Sequence, residues 1–394
     1  MSLRFLKNLP LQLFLSLILG LFLGKILDNK TISYIYTASL IIKDGLMTVL
    51  PFIIFSYLVA ALVSFEKKAP LLIVFIVLLV VFSNAMSVIV AYGAAQLAFP
   101  FLGKMSAEGF SAAKETILPV WNIGLEPLIS SDKALLAGII TGLMINFIPS
   151  ESTRSKIKDL SFRFRDWTTK ALKNSFIPFL PIYVLGFVLK LDKDSSIEIL
   201  MQNYGKVFIV GCLLIVVYLL FLYGLAANFR KSIFIGYLRE MIPAGLTGFS
   251  TMSSAATMPV TLAATERNLK DRSYADFVIP TTVNIHLVGD GLNIALTALA
   301  LLVMSGQNFP SFNTYLLFTL YYCLAKFSCA GIPGGGVIVI LPVIQSYLGL
   351  SSEITGLLAT IYILQDPILT SANVMGNGAF ALLSRKILNL FSFR

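Results

Sequence analysis

The chain has 394 residues, of which 57% are hydrophobic and only 13% are charged, and its mean hydropathy is +0.85. Soluble domains are about 45–50% apolar and about 25% charged, so this composition excludes a soluble enzyme and a DNA-binding protein. The net charge of +10 is typical of the cytoplasmic loops of a membrane protein, and no nucleic-acid partner is predicted. The three cysteines, Cys212, Cys323 and Cys329, lie in apolar runs, which predicts neither a disulfide framework nor a zinc motif. The single histidine, His286, excludes a metal site with several histidine ligands.

Apolar runs that could cross a bilayer recur along the whole chain. In chain order they are Leu9–Leu27, Leu46–Phe65, Leu71–Leu102, Ala134–Ile148, Phe176–Leu191, Val207–Ala227, Phe277–Met304, Tyr315–Leu350 and Ile354–Leu383. The first run follows Arg4 and Lys7, as the apolar part of a signal peptide would. It is about 19 residues long and lacks a small-residue cleavage site, which predicts a retained helix.

The positive charges assign the two faces of the membrane. We place the N-terminus inside and let the first six helices cross the membrane in alternating directions. We treat Ile233–Thr265 and Phe312–Gln345 as hairpins, each of which leaves the membrane on the side from which it enters. Most of the 30 Lys and Arg residues then fall inside. Those that fall outside are Lys30, Lys104, Lys114, Lys133, Lys190, Lys193 and Lys206. Because this bias weakens if either segment is a single span, both are predicted to be re-entrant and both chain termini to be cytoplasmic.

The two predicted hairpins resemble each other, and so do the helices that follow them. Ser254-Ala-Ala-Thr-Met-Pro259 and Ser328-Cys-Ala-Gly-Ile-Pro333 are both small-residue runs closed by proline. The following helices carry Val288-Gly-Asp-Gly291 and Met375-Gly-Asn-Gly378, which predicts that both are interrupted at glycine. A hairpin and a broken helix, repeated with opposite orientation, form an inverted-topology repeat.

The hairpin tips are candidates for a ligand site. Unpaired backbone amides cannot face lipid, so such a tip must line a protein cavity. Helix ends there offer free N–H groups to an anion, and unwound carbonyls suit a small cation. The candidates are Ser253, Ser254, Thr257 and Gly334-Gly335-Gly336. The alternative is that these small residues only allow close helix packing.

Two carboxylates fall inside the predicted membrane region, Asp290 and Asp366. A carboxylate in a membrane is a functional hypothesis by default, with a structural ion pair or a helix cap as the alternative. Lys326 is a nearby cation that is either buried or extends its amine to the hairpin base. His286 precedes Asp290 by four residues, so the two would share a helical face and could carry a proton. The alternative is a neutral histidine bonded to a carbonyl. Further polar residues of the two helices are Asn284, Asn293, Asn373 and Asn377.

The order of these motifs resembles the dicarboxylate/amino acid:cation symporter family, which is the glutamate-transporter family. The residues that carry the resemblance are Ser253–Leu262, Gly331–Gly336 and, in part, Asn373–Asn377. The resemblance implies an all-α polytopic membrane protein with eight transmembrane helices, two re-entrant hairpins, inverted repeats and an elevator mechanism. It also implies a homotrimer. The implied division is residues 1–70 (scaffold helices 1 and 2), 71–102 (transport-domain helix 3), 103–206 (scaffold helices 4 and 5) and 207–394 (the rest of the transport domain).

The resemblance also assigns roles to residues. The implied solute-binding set is Ser253, Ser254, Thr257, Gly331, Pro333, Gly334, Asp366, Thr370 and Asn373. The candidates for cation binding or a proton relay are His286, Gly289, Asp290, Asn373 and Asn377. Asp366 matches the aspartate that holds a substrate ammonium group, while Leu369 stands where members with acidic substrates have an arginine. Val288 and Asn377 stand where the family has sodium-binding aspartates.

The sequence therefore predicts a symporter in the cell (inner) membrane that moves a small anionic or zwitterionic solute, an amino acid or a dicarboxylate. Leu369 favours a neutral amino acid. Sodium ions or protons would drive it, and no cofactor and no enzymatic activity are expected. One alternative is an intramembrane aspartyl protease, suggested by Gly289-Asp290 and a second aspartate. The other is a transport-inactive or channel-like relative.

Overall fold

A computed structural model describes residues 9–63, 70–102, 117–121, 128–193, 196–329 and 335–390. Within these residues every regular element is a helix. The α-helices are α1 Leu9–Leu23, α2 Asn29–Val63, α3 Pro70–Ala98, α4 Ser131–Asn146, α5 Glu151–Ser175, α6 Leu180–Lys193, α7 Ser196–Ala226, α8 Lys231–Thr251, α9 Ser254–Leu269, α10 Arg272–Thr282, α11 Val288–Met304, α12 Phe312–Lys326, α13 Gly335–Ile338, α14 Leu341–Leu348 and α15 Ser352–Leu390. Short 3-10 turns at Phe99–Leu102 and Ile177–Phe179 follow α3 and precede α6.

The apolar helices coincide with the predicted runs. Val74–Phe101, Tyr204–Ala226 and Ile354–Leu390 are long and apolar enough to cross a membrane. Shorter apolar helices are Thr48–Ala60, Lys133–Ile145, Leu180–Lys190, Val288–Met304 and Gly336–Leu348. α7 begins at Ser196, before its apolar run, so the boundary placed at residue 206 lies inside a helix. The protein is a multi-pass membrane protein, and it is all-helical over the residues that the structure describes.

The helices pack in two groups. In the first, which we call the α2 group, α2 packs against α4, α5 and α6, and α1 packs against α6. In the second, the α11 group, α11 packs against α3, α7 and α15, and α15 also packs against α8 and α9. α5 is amphipathic and carries much of the predicted cytoplasmic charge.

α8 and α9 form the first hairpin, with its tip at Met252 and Ser253. Met252 adopts a left-handed conformation with φ 50°, which reverses the chain. At the base, an Arg267–Glu240 ion pair joins the two arms. The C-terminal part of α15 lies at the same end, because Arg385 is 2.7 Å from Asp271. The hairpin therefore enters and leaves at one end of the bundle, as the charge pattern predicts.

α12, α13 and α14 form the second hairpin, and its base lies at the opposite end. Tyr321 of α12 stacks on Tyr347 of α14 with ring centroids 4.3 Å apart. Gln307, just after α11, donates a hydrogen bond to the Gly349 carbonyl beyond α14. α10 and α11 connect the two bases, so the hairpins insert from opposite ends, as an inverted repeat requires. The predicted tip residues Gly331, Pro333 and Gly334 lie outside the described residues.

The two helices that follow the hairpins differ. The first is broken, since α10 ends at Thr282 and α11 begins at Val288, but the break lies before Gly289 and Gly291 and not at these glycines, which are inside α11. The second prediction is wrong, because α15 continues through Gly376 and Gly378 without interruption. A Cβ at Gly378 would lie 2.5 Å from the Met241 methyl group of α8, and one at Gly376 would overlap Val288 of α11. These glycines therefore allow neighbouring helices to approach closely and do not break their own helix.

Candidate functional site

A polar cavity lies where the α10–α11 break faces both hairpins and α15. Its volume is about 30 Å³, which is room for about two water molecules. Among its polar lining side chains are Ser254, Asn284, Asp290, Asp366, Thr370 and Asn373. Gly336 and Cys329 bring the second hairpin to the same cavity. Segments that are far apart in the sequence therefore converge on one small polar space inside an apolar bundle.

Asparagine side chains hold the α10–α11 break open. Asn84 of α3 donates to the Ile285 carbonyl at 2.7 Å and accepts from the Leu287 N–H at 3.0 Å. Asn373 Oδ1 of α15 accepts from the N–H groups of Gly289 and Asp290 at 2.9 and 3.2 Å. Backbone groups in a membrane must find partners within the protein, and here amide side chains of two neighbouring helices replace the missing helical bonds.

Asp290 forms a buried ion pair with Lys326. Lys326 Nζ lies 2.7 Å from Asp290 Oδ2, and the two side chains are 0% and 2% exposed. Tyr362 also donates to Oδ2, at 3.1 Å, while Asn373 Nδ2 donates to Oδ1 at 2.8 Å. The carboxylate thus has a cation and two neutral donors around it. The ion pair that the sequence analysis gives as an alternative for Asp290 is therefore present.

One face of α15 supplies the other side of the cavity. Tyr362, Asp366, Thr370 and Asn373 follow one another at the three- and four-residue spacing of a helical face. Thr370 Oγ1 donates to Asp366 Oδ1 at 2.9 Å, and Asp366 is only 4% exposed. The sequence-predicted residues Asp366, Thr370 and Asn373 therefore lie together and face the cavity.

The first hairpin presents the N-terminus of α9 to the cavity. Ser253 is the helix cap, since its Oγ accepts from the Ala256 N–H at 3.2 Å. Ser254, the first helical residue, lines the cavity. Thr257 lies outside the lining, because its hydroxyl bonds Thr251 at 2.9 Å and the Ser253 carbonyl within the hairpin. The predicted serine pair is thus divided into one structural cap and one lining residue, and Thr257 stabilises the turn.

The proposed His286–Asp290 relay does not form in this structure. Since α11 begins at Val288, His286 lies before the helix, and the four-residue spacing does not bring it onto the face of Asp290. Its Nε2 is 2.9 Å from Ser83 Oγ of α3, and its ring packs on Phe380 with centroids 4.5 Å apart. His286 and Asp290 therefore belong to two separate clusters.

The remaining cation candidates have structural contacts. Gly289 allows α11 to approach α15, since a Cβ there would lie 2.7 Å from the Ala372 Cβ and 2.9 Å from the Leu369 carbonyl oxygen. Asn377 Nδ2 donates to the carbonyls of His286 and Asn373 at 3.3 and 2.9 Å. Both residues lie beside the break and outside the cavity lining.

The sequence predicts one participant only in part and does not predict another. It indicates Lys326 as the cation for a structural ion pair without choosing between Asp290 and Asp366, and it gives Tyr362 no role. A lysine that ends an otherwise apolar helix is a usable sequence signal, because a buried ammonium group requires an anion. Asp290 is 36 residues earlier, on another helix, so spacing alone does not indicate the pair. Tyr362 is one helical turn before Asp366, which places it on the polar face of α15 once that face is known.

The surroundings of Asp290 also bear on the protease alternative. An aspartyl protease needs two carboxylates that share a proton and activate water. Asp290 is instead bound to an ammonium group, a phenol and an amide. These contacts fix the Asp290 carboxylate against the Lys326 amine, which does not suit a carboxylate that must share a proton with a second one.

Comparison with known proteins relates the whole chain to transporters. The chain is 24% identical to the serine/threonine transporter SstT of Streptococcus agalactiae serotype III (strain NEM316), over 97% of this chain and 98% of the relative. It is also 24% identical to the protein of the same name from Acinetobacter baumannii (strain AYE), over 93% of each chain. An excitatory amino acid transporter of Onchocerca volvulus is 32% identical over 36% of this chain and 28% of its own length. The profile of the sodium:dicarboxylate symporter family matches residues 9–387, and the chain therefore belongs to that family of transporters.

Proposed function

We propose that this transporter moves a small neutral amino acid, bound as a zwitterion in the cavity at the α10–α11 break. The observation that carries the proposal is the charge of the lining. Asp290 and Asp366 contribute two carboxylates, while no Lys or Arg is among the lining residues that the structure describes. Lys326 neutralises Asp290, so the lining has a net charge close to that of Asp366 alone.

This charge favours a solute that brings an ammonium group. Asp366 would pair with the ammonium, and the solute carboxylate would accept hydrogen bonds from the N-terminus of α9 and from Asn373. An Asn side chain has two N–H donors, and Asp290 takes one of them, which leaves one for the solute. A dicarboxylate would add two negative charges beside Asp366. Leu369 is buried and uncharged, and therefore offers nothing to a second carboxylate.

The names of the relatives point in the same direction. The two relatives that match nearly the whole chain are called serine/threonine transporters. Ser254, Asn284 and Thr370 surround the cavity with small polar groups, which suit a hydroxyl side chain. Serine and threonine are therefore the first solutes to test.

The two packing groups support an elevator mechanism in a trimer. We propose eight transmembrane helices, with α10 and α11 together counted as one, and two re-entrant hairpins. The α11 group would carry the solute across the inner membrane against a fixed α2 group, whose α4 exposes the apolar side chains of Leu136, Ile140 and Leu143 to a neighbouring protomer or to lipid. Both termini would be cytoplasmic.

The cavity is too small for an amino acid, so a hairpin must move before the solute binds. A gradient of sodium ions or protons would supply the energy.

Uptake into proteoliposomes tests this function. Serine, threonine, alanine, aspartate and succinate are compared under separate sodium and proton gradients. We expect uptake of a neutral amino acid, and its loss in Asp366→Asn. Asp276→Asn is the matched control, because Asp276 is an exposed carboxylate paired with Arg272 on α10, and this variant keeps full uptake. Succinate uptake that persists in Asp366→Asn would refute the proposal. Leak currents without uptake would instead favour a channel-like protein.

A further inference from the structure

The sodium sites of the family do not fit the residues of this chain. Val288 and Asn377 stand at the positions of two cation-binding aspartates. Val288 is fully buried against α15 and has no oxygen in its side chain. Asn377 aims its N–H₂ group at the carbonyls of His286 and Asn373. In this orientation the N–H₂ group, and not the buried Oδ1 that has no hydrogen-bond partner, faces these carbonyls, and a neutral amide brings no charge to offset that of a hard cation. Among the described residues, no three His, Cys, Asp or Glu side chains cluster as metal ligands.

A tethered cation is present nearby. Lys326 Nζ donates to Asp290 Oδ2 at 2.7 Å and to the Gly336 carbonyl oxygen at 3.1 Å, and it lies 5.2 Å from the centroid of the Tyr322 ring. A carboxylate, a carbonyl and an aromatic face are all groups that bind cations. The whole side chain is excluded from solvent.

The contacts of Lys326 also connect the moving parts. Lys326 ends α12, the first arm of the second hairpin, and Gly336 lies in α13 at the start of its second arm. Asp290 is in the first turn of α11, and its other donors come from α15. One ammonium group therefore joins both arms of the hairpin to the broken helix beside the solute cavity.

We propose that the Lys326 ammonium replaces a bound metal cation in this protein and holds the second hairpin against Asp290 without sodium. Because the cation is part of the chain, closure of the hairpin requires no dissolved ion. Solute affinity is then independent of sodium. The prediction about solute affinity rests on the proposed function, whereas the role of Lys326 in holding the second hairpin does not.

The first test uses the wild-type protein in detergent, with NaCl replaced by choline chloride at equal concentration. The melting temperature and the solute Kd from calorimetry should not change with this replacement. A solute affinity that falls by more than about tenfold in choline, or a clear loss of melting temperature, would overturn the proposal. If no tested solute binds, the proposed function fails. The comparison of melting temperatures in NaCl and choline chloride still tests whether Lys326 replaces a bound sodium ion.

The second test removes the ammonium group. Lys326→Ala leaves Asp290 without its cation and opens space beside it. We expect a lower melting temperature that recovers in methylammonium chloride or NaCl but not in choline chloride. The double variant Lys326→Ala/Asp290→Asn is the control, because it lacks both charges of the ion pair and should not respond to any of these salts. Equal responses of the two variants, or no response in Lys326→Ala, would overturn the proposal. If Lys326→Ala does not fold, the wild-type comparison decides.

Discussion

α10–α11 and α15 pass the same cavity, yet the first is interrupted between Thr282 and Val288 while the second runs from Ser352 to Leu390 without a break. Both contain a Gly-x-Gly motif, so the glycines do not explain the difference. The break lies just before Gly289, where Asn84, Asn373 and Asn377 satisfy the freed backbone groups. At Gly376 and Gly378 the nearest neighbours are Val288 of α11 and Met241 of α8, with the Tyr223 hydroxyl of α7 beside Gly378. The break therefore lies where side chains of α3 and α15 bond the backbone groups of Ile285, Leu287 and Gly289, because freed backbone groups in a membrane need partners within the protein.

The largest expected effect comes from removing the support of the break. Asn84→Leu leaves the Ile285 carbonyl and the Leu287 N–H without their partner. Each unsatisfied buried group costs about 1–3 kcal/mol, so we expect a loss of about 2–6 kcal/mol in detergent unfolding together with lost solute binding. Ser87→Ala is the control, since Ser87 bonds only within α3 and its loss should be small. If Asn84→Leu is as stable as Ser87→Ala, these side-chain bonds do not maintain the break.

A second prediction concerns Asn377. Asn377→Asp places a carboxylate beside the carbonyl oxygens of His286 and Asn373. These oxygens repel the carboxylate, but all three groups together form a set of oxygen ligands that suits a sodium ion. An unpaired buried charge costs about 3–5 kcal/mol, so the variant should melt lower in choline and recover in sodium. Asn293→Asp, a second asparagine buried near the break, is the comparison and should not gain a sodium response. Sodium-independent melting of Asn377→Asp would contradict the account of this position.

A third prediction concerns the contact between the broken and the continuous helix. Gly289→Ala places a methyl group against the Ala372 Cβ and the Leu369 carbonyl oxygen, and the backbone cannot move aside. We expect a loss of about 1–3 kcal/mol, as for other overpacked sites. Gly93→Ala in α3 is the control, because nothing lies within 4 Å of its added Cβ. There the change should be neutral or stabilise the helix by up to about 1 kcal/mol. Equal effects at the two glycines would mean that α11 and α15 are not in tight contact.

The sequence predicts some of these features better than others. The two hairpins, their order and the α15 residues Asp366, Thr370 and Asn373 follow from patterns within single segments, because proline, small-residue runs and helical spacing are local. The Lys326–Asp290 pair and the role of Asn84 are contacts between distant helices, so spacing cannot indicate them. His286 illustrates the same limit. Its distance of four residues from Asp290 predicts a pair only if both are in one helix, and the start of α11 at Val288 separates them.

Protection of position 254 from a thiol reagent shows whether solute binds at the α10–α11 break. Ser254→Cys is made in a protein with Cys212, Cys323 and Cys329 replaced, and its reaction with N-ethylmaleimide in detergent is timed with and without serine. At ten times the solute Kd, we expect about tenfold slower alkylation and no change in the control Ser273→Cys, which is exposed at the start of α10. Equal alkylation of Ser254→Cys with and without a transported solute would contradict solute binding at this break.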